Sequence, residues 1–184
     1  TVKAGKIATR WAENLLAGTG GGDAALASIE LEQLHLASAQ VMALKAGPLA
    51  YAGETRALTL EAVDIAALKA PGLAAKGLRI AGLQGSLAEG ARLSGLRAGS
   101  LQADSAEFRS GRVRQLAADA IGYQTNPGRL GIGNLSAAQL DSPWGSLTSP
   151  RLEALDYRLA KRALKTGPLV VAAAEGAWGH AGTL

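Results

Sequence analysis

The chain reads as all-β: a parallel β-solenoid, or β-helix, of short strands with a short N-terminal amphipathic helix. Three observations predict this. Apolar residues recur at every fifth position from Leu58 to Tyr123. A second apolar residue stands two places from most of them. The large rings that fill an ordinary core are scarce, with one Phe, three Tyr and three Trp among 184 residues, while Gly alone contributes 24. Many small and medium side chains in a thin, regular interior are the packing such a composition allows.

The first element is the helix. Residues 1–23 carry Ile7, Trp11 and Leu15 at i, i+4 and i+8, with Lys3, Lys6 and Arg10 elsewhere, and end in "GTGGGD". This spacing predicts a helix over 2–16 followed by a flexible Gly-rich joint. Its expected role is to cap the open end of the solenoid or to link modules; a helix lying on a membrane surface is the alternative. The Gly run is not a phosphate loop, because no strand precedes it and no Lys-Ser/Thr follows.

Residues 24–184 form the repeats. Apolar pairs at i and i+2 run through Ile29/Leu31, Leu34/Leu36, Ala39/Val41, Leu44/Ala46 and Leu49/Tyr51. They resume as Leu58/Leu60, Val63/Ile65, Leu96/Ala98, Leu101/Ala103 and Ala106/Phe108, and again at Leu130/Ile132 and Leu135/Ala137. Alternate side chains of a strand share a face, so each pair marks a short extended segment with one apolar side. A helix would rotate successive apolar positions by roughly 500°, spreading them around its surface instead of forming a stripe. The residue between the pair is usually polar (Glu30, His35, Gln40, Thr59, Asp64, Arg79, Arg97, Gln102), as an outward position requires. Gly72, Gly77, Gly82, Gly95, Ser100, Ser105 and Ser110 then read as corners between segments.

The units "SLQAD", "SAEFR" and "SGRVR" resemble the pentapeptide-repeat family, which implies a right-handed, four-sided β-helix. The position that family fills with Asp or Asn carries Gln, Glu, Arg, Thr or Lys here. Pentapeptide proteins that mimic DNA are strongly acidic, whereas this chain has a net charge of +4.

A longer unit lies beneath the pentad. "YAGETRAL", "YQTNPGRL" and "YRLAKRAL" each place Leu seven residues after Tyr, and Trp144 and Trp178 are 34 residues apart, so a unit of 34–36 residues recurs. Two of the three Tyr segments read as hairpin loops. With "APGLAAKGLRIAGLQGSL" at 70–87 they resemble bacterial envelope proteins of the AsmA/TamB type. That resemblance implies an open, twisted β-groove whose apolar inside carries lipid. A chain that opens on Thr1 and breaks a repeat at Leu184 is expected to be a segment of a longer bacterial repeat protein.

The chemistry-bearing inventory is thin. Without Cys there is no disulfide, thiolate nucleophile or Cys-zinc site. No stretch has the length of a transmembrane helix. His35 occupies an outward slot and His180 a loop, and Glu61, Asp64, Asp104, Glu107, Asp119 and Asp141 are scattered without aromatic sugar platforms. Arg92, Arg97, Arg109, Arg112 and Arg114 are interleaved with acids, and in twenty-residue coils Arg92 would stack on Arg112. Arg158, Lys161, Arg162 and Lys165 read as a connector. The expectation is a non-catalytic protein with no catalytic, cofactor or metal residues and no cofactor, secreted, on the cell surface or periplasmic. It acts as a rigid spacer or docking surface for a protein partner or neighbouring domains. A lipid-conducting groove is the alternative and a carbohydrate-active β-helix enzyme a minor one; nucleic acid is not an expected partner.

Overall fold

The computed structural model describes residues 2–4, 23–88, 92–177 and 179–182. The strands are β1 (Val2–Ala4), β2 (Ala24–Leu26), β3 (Ile29–His35), β4 (Gln40–Ala52), β5 (Ala57–Ala70), β6 (Leu73–Ala88), β7 (Arg92–Phe108) and β8 (Gly111–Gln124). They continue as β9 (Arg129–Ser136), β10 (Gln139–Ser142), β11 (Gly145–Thr148), β12 (Arg151–Arg158), β13 (Ala163–Lys165), β14 (Leu169–Val170), β15 (Ala173–Gly176) and β16 (Gly179–Gly182). All belong to one antiparallel sheet whose main path is β1-β3-β4-β5-β6-β7-β8-β10-β11-β15-β16. Where β8 ends its pairing with β10, its other half pairs β9, which pairs β12 in turn. The path does not close on itself.

This corrects the parallel solenoid. Neighbouring strands are antiparallel hairpins, and β4 to β8 are 13 to 17 residues long rather than short. An i, i+2 pair marks a face equally well in parallel and antiparallel pairing, so the pentad alone carried no information about strand direction. The expected helix over 2–16 is corrected at its start, where Val2–Ala4 is a strand paired with β3. The remainder of that segment, and residues 18–22 of the Gly run, lie outside the described residues.

The longer unit is the hairpin. Each Tyr faces its Leu across a four-residue loop, as Tyr51↔Leu58, Tyr123↔Leu130 and Tyr157↔Leu164. The last loop residue, Arg56, Gly128 or Arg162, has positive φ, the left-handed conformation that brings a short loop back into the sheet. On the opposite rim the turns are tighter: Ala70-Pro71-Gly72-Leu73 combines Pro with a Gly at φ 76°, the requirement of a type II turn. Two strands with their turns make the 34 residues.

The pentad is a bend. Between β5 and β6, Leu60↔Leu83 is followed by Ala62↔Ala81, and Ile65↔Leu78 by Ala67↔Lys76. Glu61 thus stands opposite Gly82 and Ala66 opposite Gly77, outside the regular ladder. The same interruption recurs on the next strands, and alternate strands meet it with a left-handed residue. Ala43, Gly77, Gln115 and Ser149 lie on one such line across the sheet, and Gly82, Ala120 and Ala154 on the other. Strict alternation would move the apolar face to the wrong side after five residues. One left-handed residue per five restores it and bends the strand, much as a β-bulge does. Of the positions read as coil corners, Gly77 and Gly82 are bends within a continuous strand, Gly72 and Ser110 stand in rim turns, and Gly95, Ser100 and Ser105 keep ladder pairing.

Candidate functional site: an apolar trough

The pairing registers align the apolar pairs into rows that cross the whole sheet. One row reads Leu34, Val41, Leu68, Ala75, Ala106, Val113, Leu140, Leu147, Ala174 and Ala181, ten strands without a polar side chain. A second reads Ile29, Ala46, Val63, Ile80, Leu101, Ala118, Leu135, Leu152 and Leu169. A third, at the loop rim, reads Tyr51, Leu58, Gly85, Leu96, Tyr123, Leu130, Tyr157 and Leu164. Leu31, Leu44, Ile65 and Leu78 fill the interval between the first two, and Leu26, Leu49, Leu60 and Leu83 that between the second and third. Cross-strand neighbours share a face, so all five belong to one side of the sheet.

That side is the covered one. Val41, Ala46, Leu49, Val63, Ala75, Ala98, Ala103, Ala106, Val113, Ala118 and Ala174 are buried, Ala106 to 3% exposure, and all carry the phase of these rows. No second layer of secondary structure lies over them among the described residues. Their cover comes from the bent strands themselves, which fold the apolar face inward as a trough with Ala on its tightest positions. Most of the longer Leu side chains that line it are half-exposed, while Leu49 is buried and Leu164 and Leu169 are exposed. None of the described large side chains is fully buried, and the buried set contains no polar residue.

The opposite side is charged and wet. Lys45 Nζ lies 3.7 Å from Glu30 Oε1, Arg79 Nε 3.5 Å from Asp64 Oδ1, Arg112 Nη2 2.6 Å from Glu107 Oε1 and Arg114 Nη2 3.8 Å from Asp141 Oδ2. Each joins residues on adjacent strands of that face. Arg129 grips Asp156 with two bonds, Nε to Oδ1 and Nη2 to Oδ2, both 2.9 Å. The Arg129 hydrogen bonds hold the Asp156 carboxyl below the usual carboxylate range against a partial desolvation, with the charges of Arg129, Arg158 and Lys165 adding to the effect. A polar hollow of about 670 Å³ lies at the loop rim, where Gln84, Arg97, Gln124 and Arg129 surround Gly95, Gly122 and Gly131.

The residues weighed in the sequence separate clearly. His35 is exposed, and His180 Nδ1 lies 3.2 Å from Glu175 Oε1 across the last hairpin. Asp119 Oδ1 accepts bonds from the Asn134 backbone N–H and Nδ2. Arg92 does not stack on Arg112: it begins β7 at one rim, and Arg112 lies beside the turn at the other. Among the described residues no three His, Asp or Glu side chains gather as metal ligands. No described helix is long and apolar enough to cross a membrane. The residues that sequence reasoning passed over are the left-handed ones; Gly77 and Gly82, five apart, were their visible trace.

Comparison with protein-family models, characterised proteins and solved structures finds no match to this chain.

Proposed function

We propose that this chain is a segment of a lipid-conducting β-groove, in which the apolar face of the sheet holds acyl chains. The observation that carries the reading is the set of uninterrupted apolar rows on an open, single-layer sheet. Ten strands spaced by about 4.8 Å make a path of roughly 43 Å, longer than an extended acyl chain. A continuous apolar face of that length, covered only in part, is uncommon on a protein with nothing to bind. The rows offer no hydrogen-bond donor or charge beyond the Tyr hydroxyls at one rim, which suits chains recognised by their apolar length. The resemblance of residues 70–87 and of the Tyr-x6-Leu loops to AsmA/TamB-type proteins points the same way.

The test is mass spectrometry of an organic extract of gently purified protein. Phospholipid or fatty acid in stoichiometric amount is expected, and Ala103→Phe, which fills the narrow interior, should lower the recovered lipid several-fold. A clean extract from the folded protein would overturn the proposal and leave the sheet as a rigid spacer.

A further inference from the structure

We infer that the tight-turn rim of the sheet docks on an anionic lipid bilayer, with Trp144, Phe108 and Leu36 entering the boundary between headgroups and acyl chains. This goes beyond the groove reading and stands on a different part of the molecule. The turns following β3, β5, β7, β10 and β15 all project from one rim. Successive turns are two strands apart, or roughly 10 Å. Leu36 is 56% exposed, Phe108 46% and Trp144 74%. Pro71 and Pro143 stand in the same turns, and Trp178 holds in sequence the position of Trp144 one unit later. A row of apolar tips with an indole among them matches the chemistry of a membrane interface, where an amphipathic ring keeps its N–H in water.

The tips are held outward. Ser142 Oγ donates to the Gly145 carbonyl at 2.9 Å and accepts from the Trp144 backbone N–H at 3.3 Å, so the turn is fixed before it meets anything. Charge complements the apolar residues. Arg109 lies across Gly72 of the neighbouring turn, and Lys69 and Lys76 flank that turn on β5 and β6. The nearby acids Glu107 and Asp141 are engaged by Arg112 and Arg114. Lys69, Lys76, Arg109, Arg112 and Arg114 stand at this rim against Glu32, Glu107, Asp141 and Glu175, a surplus of one positive charge in the sense that attraction to anionic headgroups requires. The other rim is also cationic and exposes Leu159 at 44% in a loop beside Lys161 and Arg162, but none of its described residues is an indole.

The probe is a set of vesicles of phosphatidylcholine with or without phosphatidylglycerol, mixed with the full chain carrying Trp11→Phe and Trp178→Phe so that Trp144 reports alone. Emission from Trp144 should shift to the blue on mixed vesicles and be quenched by brominated acyl chains. Binding should weaken with salt. Phe108→Ser with Trp144→Ser, assayed by flotation, should lower vesicle affinity by roughly tenfold or more, and Leu159→Ser should leave it unchanged. Unmoved Trp144 emission, equal binding to vesicles without phosphatidylglycerol, or an equal loss in Leu159→Ser would each overturn the inference. Lipid in the trough is read by extraction and bilayer docking by the Trp144 signal, so either proposal can fail without the other.

Discussion

Ala43, Gln115 and Ser149 hold φ of 49°, 49° and 48° inside or beside strands, a conformation in which a Cβ is crowded by the backbone. Each costs about 1–2 kcal/mol relative to Gly and is retained because it returns the apolar face to the trough. Replacing Ala43 or Gln115 by Gly should therefore raise stability, or leave it level, by up to about 1 kcal/mol once the greater freedom of the unfolded chain is counted. Gly77 is the reverse case. Its φ is 60° and the Asp104 carboxylate occupies the space a side chain would take, so Gly77→Val should cost about 2 kcal/mol or more. Urea midpoints of the three variants decide the matter; a destabilised Gln115→Gly would contradict the account of the bends.

At the scale of elements, β9 and β12 are joined by their ladder and clamped by Arg129 and Asp156. Because the Asp156 carboxyl is held below its ordinary value in the folded chain, its contribution is complete above the unfolded value of about 4 and is lost as pH falls through the depressed folded value. Asp156→Asn should be less stable than the parent at neutral pH, and the gap should close in acid. A gap that stays constant down through this range would show that the carboxylate adds nothing. The apolar pairs of these elements were legible in the sequence, since Leu130/Ile132 and Leu135/Ala137 do line the trough. Strand direction was not, because Ile132 looks the same whether Leu155 reaches it from a parallel or an antiparallel neighbour. Nor was the bend: the left-handed residue is Gly at 77 and 82 but Ala at 43, 120 and 154 and Gln at 115, and the latter carry no local signature. Arg129 and Asp156, 27 positions apart, meet only through the pairing register.

At the scale of the whole molecule, most of the middle row advances by 17 residues per strand: Ile29, Ala46, Val63 and Ile80, then Leu101, Ala118, Leu135, Leu152 and Leu169. Deleting residues 35–68 would put Leu26, Ile29, Leu31 and Leu34 where Leu60, Val63, Ile65 and Leu68 now face β6. This shorter chain should still unfold cooperatively, with a denaturant slope reduced roughly in proportion to the surface removed. Deleting 35–67 instead shifts the phase by one residue and turns Glu30 and Glu32 toward the trough, so it should not fold. A cooperative fold in both would refute the row assignment. Evolution can therefore lengthen or shorten this protein as one cuts cloth along a printed pattern. Any whole number of hairpins gives a usable piece, and the span such a chain bridges is a quantity selected by copy number, independently of the residues that line it.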